Sequence, residues 1–195
     1  MTDLAALGIL LAAGAGTRMG QPKALVRDAA GRPWLHIGID ALRDGGCDHV
    51  IVVLGAAAES ARELLDDRAV TVVTAEDWAD GMSASLRAGL SAADRHCALH
   101  PRQFGAVVLS LVDLPDVDHR VVSRVLTSVG TDPSGLGRAV YGGTPGHPVV
   151  IGLDHIRDVL RSSTGDRGAR DYLDDRGLVL IECADLASGR DVDSR

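Results

Sequence analysis

The residues best suited to chemistry lie in a glycine-rich stretch that follows an apolar run over residues 7–13. The stretch contains three glycines and two cations: Gly14, Gly16, Arg18, Gly20 and Lys23. Glycines directly after a buried strand let backbone N–H groups approach phosphate oxygens closely. Two cations at the far end of such a loop would neutralise a polyphosphate. The stretch therefore predicts a loop that binds the phosphates of a nucleotide.

Two common glycine motifs do not fit this loop. The dinucleotide fingerprint needs a third glycine at the position of Met19. A Walker A loop needs Gly-Lys-Ser/Thr, whereas Gly20 is followed by Gln21 and Pro22. The loop is therefore of another nucleotide-binding type.

Lys23 is the only lysine in a chain that has 20 lysines and arginines in total. Lysine carries a compact, mobile point charge, which suits a group that must follow a phosphate through a reaction. The alternative is a surface lysine without a function.

Two groups of carboxylates are candidates for binding a metal ion. Asp113 follows an apolar strand predicted over residues 105–111. If that strand neighbours the first one, Asp113 faces the bound phosphates and is a suitable Mg²⁺ ligand. The alternative for Asp113 is a helix cap or a turn residue before Pro115. Asp191 and Asp193 form a second group, and the alternative for them is a solvated, frayed tail.

His147 lies between Gly146 and Pro148, where a flexible connection leads into a strand. It could contact a second substrate or orient a backbone turn, and the sequence leaves both options open. The seven histidines show no metal-ligand spacing, so no structural metal site is predicted. No G-x-S-x-G or Cys/His signature indicates covalent catalysis.

Short β-rich runs alternate with helical patterns, which predicts an α/β fold with a Rossmann-like, mostly parallel sheet and flanking helices. Strands are expected at residues 7–13, 49–54, 69–74, 105–111, 135–141, 148–151 and 178–181. Helices are expected after Pro33 and at residues 58–65, 86–90, 118–129, 154–160 and 169–174, with Ser83 or Ser85 as the cap of the third. The Gly/Pro-rich connection at residues 142–146 predicts a small antiparallel hairpin insertion.

Composition sets the wider limits. A length of 195 residues predicts a single domain over residues 1–195, and the net charge of −7 argues against a nucleic-acid partner. Three cysteines without a C-x-x-C pair indicate reduced thiols in a cytoplasmic protein. The N-terminal segment lacks a basic region and is interrupted by glycines, so we expect neither a signal peptide nor a membrane partner.

Residues 11–23, LAAGAGTRMGQPK, closely resemble the signature loop of the MobA-like nucleotidyltransferases, which have a nucleotide-diphospho-sugar transferase-like fold. The molybdenum-cofactor cytidylyltransferases are the most similar branch. The resemblance continues, in order, through residues 78–86, 112–115, 146–148, 165–170 and 191–193. Residues 78–86 resemble the segment beside the base, and residues 112–115 resemble the metal-binding Asp-x-Pro. Residues 146–148 resemble the substrate-side motif, and residues 165–170 resemble the loop after it. Residues 191–193 resemble the closing Asp-x-Asp.

The resemblance implies that an acceptor phosphate attacks the α-phosphate of a nucleoside triphosphate and releases pyrophosphate. The implied nucleotide-binding residues are Leu11, Ala12, Ala13, Gly14, Gly16, Arg18, Lys23, Ser83 and Ser85. Arg18 would bind the β- and γ-phosphates, Lys23 the charge on the α-phosphate, and Ser83 or Ser85 the base. Asp113 would be catalytic with these two cations and would hold Mg²⁺, together with Asp193. His147 would bind the acceptor.

The Ala12-Ala13-Gly14 start and the Gly-His-Pro motif resemble the cytidylyl branch, which implies CTP and a molybdopterin-type acceptor. A transient contact with a molybdoenzyme or its chaperone is implied as well. One alternative is GTP with another small phosphate, such as a phospholactate. Another is a nicotinamide-dependent oxidoreductase, against which Met19 and the Leu54-Gly55 strand end count. The third is a non-catalytic nucleotide sensor, which the pairing of Lys23 with Asp113 disfavours.

Overall fold

The computed structural model describes residues 4–101, 103–163, 165, 168–174 and 176–193. Its strands are β1 (Ala5–Ala12), β2 (Cys47–Leu54), β3 (Thr71–Thr74), β4 (Phe104–Leu111), β5 (Leu136–Tyr141), β6 (Thr144–Gly152) and β7 (Val179–Glu182). Its α-helices are α1 (Trp34–Asp44), α2 (Ala58–Glu63), α3 (Met82–Leu99), α4 (His119–Val129), α5 (Ile156–Ser162) and α6 (Arg170–Asp174). Asp166 and Arg167 of the expected loop lie outside the described residues.

The described strands form one mixed sheet in the order β3-β2-β1-β4-β6-β5-β7. The first four strands of this order pair in parallel, whereas β6 is antiparallel to both β4 and β5. β7 returns parallel to β5 at the edge. The α/β class, the mostly parallel sheet and the antiparallel hairpin are thereby confirmed.

The hairpin is tighter than its composition indicated. Gly142 and Gly143 have φ angles of 60° and 80°, and Tyr141 pairs directly with Thr144 across them. Two successive residues with positive φ make the kind of two-residue turn that matches the twist of a hairpin. The expectation that residues 144–146 belong to a connection is therefore wrong, because they already form the first part of β6.

The sheet is buried on both faces. Side chains of β1 alternate between two cores: Leu10 packs on the face covered by α1 and α4, and Ile9 on the face covered by α3 and α5. This alternation follows from the two-residue repeat of a strand. The two helical layers leave the ends of the strands, where the loops emerge, as the places for a site.

α3 begins differently from the expectation. Its first residue is Met82, and the residue before it, Gly81 with a φ of 110°, has no side chain with which to cap the helix. Ser83 and Ser85 are buried within the first turn, so the prediction that one of them caps the helix is wrong. At α4, in contrast, the Asp118 side chain accepts a hydrogen bond from the Arg120 backbone N–H and caps the helix. No helix in the described part of the chain has the length and apolar character to cross a bilayer.

Candidate active site

The glycine loop and the Asp113 turn meet because β1 and β4 are adjacent parallel strands. They end in register at Leu11 and Leu111, and the backbone N–H of Val112 donates to the carbonyl of Leu11 at 3.0 Å. The carboxyl ends of neighbouring parallel strands are the usual place of a ligand in an α/β sheet. The condition under which Asp113 faces the glycine loop, that the two strands are neighbours, is thus met.

Gly14 and Gly16 have different structural roles in the loop. Gly16 has a φ of 59°, and a Cβ there would lie 2.0 Å from the backbone oxygen of Gln21. Gly16 is therefore needed for the fold of the loop itself. A Cβ at Gly14 would meet no atom within 4 Å, since this residue faces open space. Gly14 thus leaves its backbone open for a ligand to approach, and a Cβ at Gly20 would likewise meet no atom within 4 Å.

A cavity of about 310 Å³ opens above the loop. It is lined by residues 11–19, Lys23, Trp78, Ala79, Gly81, Met82, Ser85, residues 111–113 and Asp193. All of the implied nucleotide-binding residues except Ser83 line it. The hydroxyl of Ser83 instead accepts a hydrogen bond from the backbone N–H of Gly168 at 3.2 Å, so this side chain holds the segment beside α6.

Charged side chains form a chain of contacts at the cavity wall. Lys23 Nζ lies 2.6 Å from Asp113 Oδ2 and 2.5 Å from Asp193 Oδ1. The side chains of Lys23 and Asp113 are only 16% and 15% exposed. Arg18, which is largely exposed, donates from Nη1 to the other oxygen of Asp193 at 2.6 Å. One ammonium therefore bridges two carboxylates that are 80 residues apart in the sequence.

These contacts fix the charge states of the groups. Burial lowers the pKa of the Lys23 ammonium, but hydrogen bonds from it to Asp113 and Asp193 outweigh this and raise the pKa above its ordinary value. The hydrogen bond from Lys23 is also the main reason why the pKa of Asp193 is lowered. At neutral pH the site therefore contains a cationic lysine and an ionised Asp193.

The C-terminal segment is held against the site. The backbone N–H of Val192 donates to the carbonyl of Asp113 at 3.0 Å, and the Val192 side chain packs against the core. Ser188 donates to Asp116 from both its backbone N–H and its hydroxyl. A frayed tail is therefore the wrong alternative for Asp193. A helix cap is the wrong one for Asp113, because Asp118 caps α4, whereas the other part of that alternative, a turn before Pro115, is where Asp113 lies.

The carboxylates fit a divalent cation. Asp113, Asp191 and Asp193 each offer an oxygen, and these oxygens lie within 4.8 Å of one another. Asp113 Oδ1 is buried and has no hydrogen-bond partner among the described residues. A buried acceptor without a partner beside further carboxylate oxygens matches the ligands that Mg²⁺ prefers. The arrangement is suited to hold Mg²⁺ or a similar hard ion.

A second cavity, of about 240 Å³, adjoins the first and shares Leu11, Met82 and Leu111 with it. His147 lines the second cavity and is half-buried. Burial and, after it, the charges of Arg138 and Arg170 lower the pKa of His147 to about 4. The imidazole is therefore neutral at neutral pH. Its predicted role with the acceptor would place that substrate in the second cavity.

Sequence reasoning missed one charged residue of this region, Arg138. It does name Asp191, as part of the second carboxylate group, and the folded tail brings this residue to Asp113. Arg138 belongs to no motif, and its only signal was a cation inside an otherwise apolar strand, Leu136–Tyr141.

Two proteins illustrate the relationships of the chain. It is 35% identical to nicotine blue oxidoreductase of Paenarthrobacter nicotinovorans, over 99% of this chain and 95% of that protein. It is 33% identical to the bifunctional protein GlmU of Cutibacterium acnes, over 93% of this chain. The chain spans less than half of that relative, since the match covers 43% of its length.

A crystal structure of Rv0371c from Mycobacterium tuberculosis H37Rv superposes with a TM-score of 0.78 and 28% identity, covering 99% of this chain and 95% of that one. The same protein in complex with manganese gives a TM-score of 0.72 and 27% identity, over 92% and 88% of the two chains. The profile of the MobA-like NTP transferase domain matches residues 8–179. The chain therefore belongs to the family of MobA-like NTP transferase domains.

Proposed function

We propose that the chain is a Mg²⁺-dependent cytidylyltransferase that joins CMP from CTP to a molybdopterin-type phosphate and releases pyrophosphate. The observation that carries this proposal is the contact of Lys23 with both Asp113 and Asp193 at the wall of the glycine-loop cavity. A cation suits the phosphates of a metal–triphosphate complex, and carboxylates beside it suit the metal. The transfer itself needs mainly positioning and electrostatic stabilisation.

Each loop residue has a defined task in this proposal. Backbone N–H groups of residues 13–16 bind phosphate oxygens, and Arg18 binds the β- and γ-phosphates. Lys23 leaves the carboxylates and donates to the α-phosphate, where charge develops. Asp113 and Asp193 hold Mg²⁺, and Asp191 lies close enough to share it. Bound there, Mg²⁺ supplies charge neutralisation to the phosphates.

The base and the acceptor occupy opposite ends of the joined cavities. Ser85 lines the first cavity and is the serine we assign to the base. His147 contacts the acceptor in the second cavity as a neutral imidazole. The choice of CTP rests on the Ala12-Ala13-Gly14 start, and that of a molybdopterin-type acceptor on the Gly-His-Pro motif. A cytidylated cofactor would then pass to a molybdoenzyme or its chaperone.

A panel of ligands tests the proposal. Thermal stabilisation is measured with CTP, GTP, ATP, UTP and NADPH, each with and without Mg²⁺. We expect the largest shift with CTP and Mg²⁺, and its loss in Asp113→Asn. Asp48→Asn, an exposed change at the start of β2, is the matched control and should keep the shift. A shift with GTP alone would transfer the proposal to the guanylyl alternative.

An oxidoreductase is the second candidate, and its support is the similarity to nicotine blue oxidoreductase. Met19 in place of the third glycine and the lysine–carboxylate contact count against a dinucleotide site. Stabilisation by NADPH alone, without an effect of CTP, would replace our proposal with this candidate.

A further inference from the structure

Arg138 is a buried cation that the proposed transfer does not use. It lies on β5 with only 8% of its surface exposed. Its Nε and Nη2 donate to the carbonyl of Gly146 at 3.3 and 3.1 Å. Among the described residues, no carboxylate lies within ion-pair distance of it. A guanidinium has five N–H donors, so a single carbonyl leaves most of them for other partners.

The surroundings make this charge unfavourable without an anion. Arg138 lines the second cavity, whose walls include Leu86, Leu109 and Leu173. Burial lowers the pKa of the guanidinium, and the nearby charge of Asp174 only partly opposes this. A buried charge without a paired counter-ion is destabilising, and such groups cluster at ligand sites.

A second cation faces the same space. Arg170, the first residue of α6, lines the cavity and is exposed, so it lies at the mouth, whereas Arg138 lies in the wall. His147, on the same cavity, is neutral and contributes no charge at neutral pH. The cavity therefore combines an apolar wall with two guanidinium groups.

We propose that Arg138, assisted by Arg170, binds a second anionic group of the acceptor, separate from the phosphate that attacks the nucleotide. This inference rests on the proposed function and narrows its acceptor class. The reacting phosphate lies where the two cavities meet, at Leu11, Met82 and Leu111. The non-reacting anion lies in the second cavity, and a carboxylate serves as the probe for it. A planar guanidinium suits a carboxylate because it donates two parallel hydrogen bonds.

The test compares two phosphates that differ in one carboxylate. Binding of 2-phosphoglycolate and of ethyl phosphate is measured by calorimetry, with Mg²⁺ and the unreactive analogue α,β-methylene CTP present. We expect 2-phosphoglycolate to bind about tenfold more tightly, the value of one charge-assisted hydrogen-bonded contact. In Arg138→Gln the two probes should bind equally, and Arg138→Lys should keep part of the preference.

Arg87→Gln is the matched control, because Arg87 also donates to a backbone carbonyl, that of Ser163, but does not line either cavity. It should keep the full preference. If Arg138→Gln does not fold, Arg170→Gln replaces it and should reduce the preference. Equal binding of the two probes to the unaltered chain, or a preference that persists in Arg138→Gln or, in its place, in Arg170→Gln, would overturn the inference. A carboxylate preference without any binding of the CTP analogue would refute only the proposed function.

Discussion

Lys23 occupies the position between two of the carboxylates that are suited to hold a metal. Its Nζ contacts Asp113 and Asp193 at distances that leave no room for another cation between the same oxygens. An ammonium and a divalent ion therefore compete for the negative charge of these two carboxylates, even though Asp113 Oδ1 has no partner among the described residues. The arrival of a triphosphate resolves the competition, because its oxygens offer Lys23 a new partner. Metal and nucleotide should consequently bind better together than either does alone.

Replacing Lys23 by methionine should therefore strengthen the binding of a metal ion on its own. We expect Mn²⁺ to bind Lys23→Met about tenfold more tightly than the unaltered chain, since one charge-assisted hydrogen bond no longer competes. Electron paramagnetic resonance of free Mn²⁺ measures this directly. Arg62→Met removes an equal charge at an exposed site, where the guanidinium donates to Thr74, and should leave the affinity unchanged. Weaker Mn²⁺ binding in Lys23→Met would disprove the competition.

The sequence predicts the role of an individual residue where its chemical type and its position along the chain indicate the same role. A lone lysine after a glycine loop and an aspartate after a strand were enough to predict that Lys23 and Asp113 act together, and they touch. The role of Arg138 as a ligand-binding residue could not be predicted, because it depends on burial and on a cavity formed by α3, β4 and α6. Neither is visible in the local sequence.

The glycine loop shows how one element is constrained at separate points. The positive φ of Gly16 and the nearby carbonyl of Gln21 exclude a side chain at that position, whereas Gly14 borders open space. Gly16→Ala should lower the free energy of unfolding by about 2 kcal/mol, the usual cost of a left-handed backbone combined with a steric clash.

Urea unfolding checks this value, with Gly14→Ala as the control that should unfold like the unaltered chain. CTP binding should also weaken in Gly16→Ala, because the loop no longer presents its backbone in the same geometry. Equal stability of the two variants would show that the loop tolerates a Cβ at both positions.

The boundaries of helices and strands are predicted least well where a glycine is compatible with either a long loop or a tight turn. The sequence places Gly142 and Gly143 in a longer connection, whereas their φ angles form a two-residue turn inside a continuous hairpin. Gly81 precedes α3 where a serine cap was expected. Composition reveals that a chain turns at glycines, but not how tightly it does so.

Three histidines, His49, His96 and His100, lie near the end of the sheet at which the parallel strands begin, away from the site. His49 stacks on His96 with ring centroids 4.5 Å apart, and His96 lies 4.6 Å from His100. Burial, followed by the charges of His96, Arg43 and His100, lowers the pKa of His49. Burial and then His100 lower the pKa of His96. Below the ordinary histidine pKa, the unfolded chain therefore binds more protons than the folded one.

Stability should accordingly decrease as the pH falls from about 7.5 to about 5.5. His96→Gln removes one of these groups and one neighbour of His49, so its loss of stability over this range should be smaller. Urea unfolding at the two pH values measures the difference. His119→Gln, an exposed change outside the stack, should retain the full dependence. The same dependence in His96→Gln would show that other groups cause it.

The alternation of strand and helix patterns in the sequence predicts most of the architecture, namely the α/β class and the parallel core of the sheet. The position of β6 between β4 and β5 was not readable, since it depends on pairing between distant segments. The same holds for the tail, which reaches Asp113 through a backbone contact of Val192.

The proposed function requires that metal and triphosphate share one site between Lys23 and Asp113. Its most direct test is the affinity for Mn²⁺, measured by electron paramagnetic resonance with and without α,β-methylene CTP. We predict that the analogue raises the Mn²⁺ affinity of the unaltered chain at least about tenfold, and that Asp113→Asn abolishes this gain. An analogue that leaves the Mn²⁺ affinity unchanged, or a gain that survives in Asp113→Asn, would contradict the account.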